Sequence, residues 1–175
     1  VYSEDRKAPD TTYSRIGAFV KDFDFNRRQF RVPPSVVKSL DPTQQVALEA
    51  ARQALEDAGV FDEANAFPTE NCAIIVGNSQ GGDNRTETTA RVQVPRMQEA
   101  LVQALDKANI SGAAADKIGE DFKTTFLADL APITEDTMAG ELPNCIAGRI
   151  ASTFDLGGAN WVVDAPPAAV KPARY

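Results

Sequence analysis

The stretch Leu142-Pro-Asn-Cys-Ile-Ala-Gly-Arg-Ile-Ala-Ser-Thr-Phe-Asp-Leu-Gly-Gly-Ala-Asn-Trp-Val-Val-Asp-Ala165 decides the fold. After Pro143 it predicts a short helix over Ile146 to Phe154. Gly157-Gly158 then punctuates the chain, and Asn160-Trp-Val-Val-Asp164 reads as an apolar strand. Arg149 lies inside the helix among Ile146, Ile150 and Phe154. A charge there ordinarily sits at the polar edge; the sharper alternative is partial burial against a carboxylate such as Asp164.

A second strand lies upstream. Cys72-Ala-Ile-Ile-Val-Gly77 is a continuous apolar run, the pattern of a strand buried on both faces. The strongest local signal precedes it, a helix from Pro42 to Ala58. Asp41 suits the N-cap and Pro42 the first helical position. Gln44 stands where a capping-box partner would. Ala47, Ala51, Ala54, Leu55 and Ala58 share one face, and the small stripe predicts close helix–sheet or helix–helix packing rather than a bulky bundle seam. Glu49 and Arg52 form an ion pair across the other face, and Gly59 ends the helix at C′. Helix followed by buried strand, twice, predicts an α/β domain.

Other segments are plainer. Residues 1–13 read as a polar lead-in. Arg15-Ile-Gly-Ala-Phe-Val20 is a short extended run, and Phe23 and Phe25 alternate with Asp22 and Asp24 to anchor one face of a short segment. Pro33-Pro34 breaks the chain before a short helix through Val36 and Val37. Thr86 to Ala108 looks helical, with Pro95 expected to interrupt it or mark a second start. Ala113 to Leu130 is helical, with Ile118, Phe122, Phe126 and Leu130 spaced by four. From Ala165 to Tyr175, Pro166, Pro167 and Pro172 predict an extended tail or linker.

The 175 residues, 18.8 kDa, fit one domain. A net charge of −7 excludes a general basic footprint for nucleic acid or an anionic membrane. It leaves room for a local basic patch that meets an acidic partner. No stretch approaches about 18 consecutive apolar residues, so no membrane-spanning helix is expected. Val1 to Asp10 has no signal-peptide core, which points to a cytoplasmic protein. The absence of an initiator Met suggests that the chain is processed, excised or incomplete at its start.

The chain has no histidine. That removes Ser-His-Asp and Cys-His catalysis, imidazole metal ligation and the usual neutral-pH proton shuttle from these residues. Cys72 and Cys145 have no zinc spacing and read as buried thiols, with a disulfide between them left open. Asp22, Asp24, Asp116, Glu120, Asp121, Asp129, Glu135 and Asp136 have no diagnostic spacing for metal or acid–base work and read as solvated faces. Val76-Gly-Asn-Ser-Gln-Gly-Gly82 could hold a phosphate on backbone N–H groups, but it matches neither a Walker A nor a dinucleotide fingerprint. A plain turn is the favoured reading.

Two long segments carry a resemblance. Leu40-Asp-Pro-Thr-Gln-Gln-Val-Ala-Leu-Glu-Ala-Ala-Arg-Gln-Ala-Leu-Glu-Asp-Ala-Gly59 and Leu142–Ala165 resemble, in this order and with Ile74–Gly77 between them, the β-ketoacyl synthases of the thiolase superfamily. Arg15–Val20 and Asp22–Phe25 are similar to the segment upstream. The likeness covers roughly residues 12–165 and is greatest to ketosynthase domains of polyketide and polyunsaturated fatty acid synthases. It implies an α/β, partial thiolase-like fold, with most of one α-β-α half present and the first strand and second half missing. Residues 1–165 would be the partial N-terminal region and 166–175 a tail of unclear origin.

The resemblance implies a parent that loads an acyl group onto a Cys. The parent would condense it, with loss of CO₂, with malonyl carried on the phosphopantetheine of acyl carrier protein. No cofactor and no metal are implied for this chain itself. Partners would be acyl carrier protein and either a homodimer or a complementing ketosynthase half, with no nucleic acid and no membrane. Asn160, Trp161, Val162, Val163 and Asp164 would lie on the strand at the dimer interface. Pro167 stands where the family has its nucleophile, and Gln45 where most relatives have Arg. The chain alone is therefore expected to be inactive. Two rivals remain: a non-catalytic, chain-length-factor-like or scaffold partner, and an unrelated α/β domain that binds phosphate at Gly77–Gly82.

Overall fold

The computed structural model describes residues 2–16, 20–64, 67–78 and 82–164. The elements run α1 (Pro34–Val37), α2 (Pro42–Asp57), a 3₁₀ turn (Thr69–Asn71), β1 (Ile74–Gly77), α3 (Asp83–Lys107), α4 (Ala113–Ala128), α5 (Glu135–Glu141), α6 (Cys145–Phe154) and β2 (Asn160–Val163). β1 and β2 pair in parallel, with Ile74 opposite Asn160 and Gly77 opposite Val163. A parallel pair needs a long crossover; here α3 to α6 supply it. The Arg15–Val20 run lies partly, and the 165–175 tail wholly, outside the described residues.

One face of this two-stranded sheet is covered. Leu48 of α2, Ile146 and Ile150 of α6, and Phe30, Val32, Leu40 and Leu156 form the buried cluster on which Ile74, Val76 and Val162 pack. The other face is open: Ile75 is 62% exposed, Trp161 46% and Val163 44%. The expectation that the first strand is buried on both faces is thus corrected. A continuous apolar run cannot say whether a second layer covers it. The alanine stripe of α2 packs only in part as its small side chains predict: Ala47, Ala51 and Leu55 are half-buried against the core, and Ala54 and Ala58 are exposed. The fully buried positions of α2 are Gln44 and Leu48, while Ala47, Ala51 and Ala54 line an open cleft beside β1.

Phe25 stacks on Phe30 with ring centroids 5.0 Å apart, and Phe30 meets Phe154 edge-on at 6.3 Å. The alternating Phe23 and Phe25 are both half-buried. Gly59 has φ +70°, the left-handed C′ residue expected after α2.

Helices α3 and α4 form an antiparallel hairpin. Gly119 permits the approach, since a Cβ there would lie 3.0 Å from Val102 Cγ2. Arg91 donates to the Leu130 carbonyl at 2.9 Å and so caps the end of α4. Pro95 does not interrupt α3, contrary to expectation. Proline removes one N–H and costs about 3 kcal/mol in a helix interior. A 25-residue helix with Val94 fully buried and a second helix packed along it tolerates that loss.

The surface of α2 yields a pH prediction. Arg52 bonds Glu49 at 2.8 Å and Glu56 at 2.6 Å. Its guanidinium, with the Gln53 amide, holds the Glu49 carboxyl below the usual carboxylate range. A depressed carboxylate pKa contributes stability above the unfolded value, near 4.5, and loses it as pH falls through the folded value. We expect Glu49→Gln to flatten the decline of Tm below pH 4.5. The effect should be under about 1 kcal/mol, because the pair is partly solvated. Thermal melts from pH 6 to 3 check this; an unchanged slope counts against it.

Candidate functional site

Buried polar groups fix the relative placement of helices, and here they converge where α2, α3, α5 and α6 meet. Asp41 is only 1% exposed. Its Oδ1 accepts from Thr43 N at 2.8 Å and its Oδ2 from Asn84 N at 2.9 Å. One carboxylate therefore caps two helices, its own α2 and the distant α3. Asn84 Nδ2 donates back to the Ser39 carbonyl at 2.9 Å. Asp41 N donates to the Gly140 carbonyl at 3.0 Å.

Gln44 does not close a capping box, as its spacing suggested. Its amide turns inward, donating to the carbonyls of Gly140 at 2.7 Å and Ala139 at 3.1 Å. Its Oε1 accepts from Arg149 Nε at 2.8 Å. Arg149 Nη2 reaches Ala139 O at 3.4 Å. The reason is the end of α5, whose last carbonyls have no intrahelical partner and need donors. Arg149 is thus half-buried, but its acceptors are an amide and a carbonyl rather than the Asp164 carboxylate. We expect Gln44→Leu to cost about 3 kcal/mol in urea denaturation, since several buried groups lose partners together. A loss under about 1 kcal/mol would contradict this network.

The hub is built for position, not for chemistry. Both Asp41 oxygens are occupied by backbone donors. Glu141 is 4% exposed, with Oε1 3.8 Å from Arg85 and Oε2 without a hydrogen-bond partner. Cys72 and Cys145 are free thiols, half-buried rather than buried, so they form no disulfide with one another. Among the described residues neither is paired with a base. Among the described residues no group of three or more His, Cys, Asp or Glu converges to hold a metal ion. In the Gly77–Gly82 loop, Ser79 to Gly81 lie outside the described residues. At the helix end of that loop, the Asp41 carboxylate sits against Gly82 and takes the Asn84 N–H, the donor a phosphate would use.

The hub sets the pose of α6, and α6 delivers β2. Of Asn160 to Asp164, Asn160, Trp161, Val163 and Asp164 are exposed and Val162 packs inward. β2 pairs with β1 along one edge and has no second strand partner among the described residues. Pro167 lies outside the described residues. Helix α5 is not among the sequence expectations, although Thr134 and Thr137 form a reciprocal capping box there, with Glu135 and Asp136 in the first turn. That Thr-x-x-Thr signal is present in the sequence. No helix among the described residues is long and apolar enough to cross a membrane.

A family model described as "Beta-ketoacyl synthase, N-terminal domain" matches residues 1–121. A polyunsaturated fatty acid synthase chain from a Thraustochytrium species is 28% identical over 156 residues, 89% of this chain and 5% of that protein. The pikromycin polyketide synthase component PikAIII of Streptomyces venezuelae is 31% identical over 122 residues, 69% of this chain and 8% of its own length. Polyketide synthase GfsB of Streptomyces halstedii is 26% identical over 165 residues, 94% of this chain and 2% of that protein. The chain therefore spans a small fraction of each of these relatives. The last match also runs well past residue 121, into the stretch that carries α6 and β2.

Proposed function

The chain belongs to the β-ketoacyl synthase family, and from that premise we propose that it is the positioning part of a condensing enzyme. The parent would perform decarboxylative condensation of acyl and malonyl groups on acyl carrier protein, in polyketide or fatty acid synthesis. The single observation that carries this reading is the family match over 1–121, extended by polyketide and fatty acid synthases over most of the chain. A partial thiolase-like fold agrees with it: the β1–β2 pair is parallel, and helices cover one face.

In this reading the 175 residues hold no acyl group by themselves. Thioester exchange needs a soft nucleophile, and the developing oxyanion needs placed donors. Pro167 occupies the nucleophile's place by resemblance, and the chain contains no His. Its residues instead orient a strand. The Gln44–Arg149 bond holds α6 against α2, and α6 packs on the β2 residues that lead toward position 167.

Asn160 to Asp164 are proposed as a pairing edge, for a second copy or for a complementing ketosynthase half. A strand edge with no partner among the described residues, and exposed Trp161 and Val163, support this. Sedimentation from about 1 to 100 μM tests it, with Trp161, the only Trp in the chain, as a fluorescent reporter. We expect self-association that Trp161→Lys weakens by at least about 10-fold, near 1.4 kcal/mol. A wild-type chain monomeric throughout that range would count against the edge. Acyl carrier protein is the proposed carrier partner, and a cytoplasmic setting fits such a synthase.

A further inference from the structure

One cavity is unlike the rest of this acidic molecule. It lies between the Arg27–Val32 turn and α6, has a volume of about 350 Å³, and is lined by Arg31, Arg149, Cys145, Ser152, Thr153 and an apolar wall around Phe30. No Asp or Glu lines it, in a chain of net charge −7. Neither arginine is in an ion pair among the described residues. Arg149 is held by Gln44 and Ala139 through Nε and Nη2, which fixes its plane and leaves Nη1 unengaged by either.

The backbone at Arg31 is the second observation. Val32 N bonds Arg27 O at 2.9 Å and Arg31 N bonds Arg28 O at 3.2 Å, the paired bonds of a Schellman turn. Arg31 occupies its left-handed position at φ +55°. Glycine is the ordinary residue there. The other non-glycine residues at positive φ among the described ones are Asp10, Asp22, Asn109 and Asp155, which tolerate that region through local hydrogen bonding. Arg31 has no such advantage. A strained backbone at an arginine that lines a cavity points to a role for that side chain.

We propose that this cavity binds a phosphate group, as the free anion or as a monoester, between the guanidiniums of Arg31 and Arg149 with the Ser152 and Thr153 hydroxyls beside them. The Arg31 guanidinium and the Arg149 Nη1 can donate to the oxygens of a dianion, and two positive charges balance it. The volume falls within the range of small-ligand sites, about 300–1,000 Å³. The inference rests on the cavity and not on the condensing role proposed above.

Calorimetric titration of the full 175-residue chain tests it with propyl phosphate, inorganic phosphate and propionate. We expect millimolar or tighter binding of a phosphate probe, and propionate at least about 10-fold weaker. Tighter binding of propyl phosphate assigns a monoester, and equal binding assigns the free anion. Arg31→Gly relieves the turn, so it should raise Tm while weakening phosphate at least about 10-fold. Arg28→Ala, outside the cavity lining, should leave Tm unchanged and phosphate affinity within about 2-fold. No phosphate binding at 20 mM, on the order of the weakest affinity of interest, overturns the proposal. So does propionate binding as well as phosphate, or an Arg31→Gly chain that keeps its phosphate affinity.

Discussion

Gly140→Ala is expected to unfold the domain or to remove at least about 3 kcal/mol of its stability. In a helix interior, alanine for glycine ordinarily gains about 1 kcal/mol. Here that gain is overwhelmed. A Cβ at 140 would overlap the Ser39 carbonyl oxygen and lie 2.6 Å from the Ser39 carbonyl carbon. Both are main-chain atoms and cannot turn aside as a side chain could. The Gly140 carbonyl also accepts from Asp41 N and Gln44 Nε2, so a shift of α5 breaks the hub as well. Gly148 in α6 is the control, because its Cβ would meet only Asn160 Oδ1 at an ordinary 3.6 Å. Gly148→Ala should be neutral or stabilising by up to about 1 kcal/mol. Urea denaturation of both variants checks the contrast; equal stabilities would contradict the close approach of α5 to Ser39.

Asp41→Ala should cost about 2–4 kcal/mol, more than a single cap is worth, because it uncaps α2 and α3 together. Asp41→Asn keeps one acceptor oxygen and should lose roughly half as much. Gly82→Ala should act through the same atoms, since its Cβ would displace the Asp41 carboxylate. The double variant Asp41→Ala with Gly82→Ala should therefore be far less destabilised than the two single losses added together. Denaturation midpoints for the four chains give the coupling. Simple additivity would mean that the carboxylate does not bridge the two helices.

The one-dimensional signals of the chain are legible. Asp41-Pro42 and Gly59 bound α2, the Glu49–Arg52 pair forms, and both apolar runs become strands. What cannot be read is the destination of each polar side chain. Gln44 and Asp41 sit in one capping pattern, yet Gln44 binds carbonyls some 95 residues away and Asp41 reaches α3. Local spacing carries no record of such partners. The charge of Arg149 suggests a carboxylate partner, whereas the end of α5 supplies carbonyls instead. α5 itself escapes a reading by periodicity because its apolar content is low, and its capping box is its main local sign. The open face of β1 is illegible for another reason: an apolar run records what a strand tolerates, not which layer covers it.

The most direct measurement is the intact mass of the 175-residue chain after incubation with an acyl thioester, followed by malonyl-loaded carrier protein with CO₂ release recorded. The account predicts that these residues provide a frame for condensation without its nucleophile. Mass should stay unchanged, and CO₂ should not exceed background. An acyl adduct that forms in proportion to the chain and is then consumed, with CO₂ released, would contradict it.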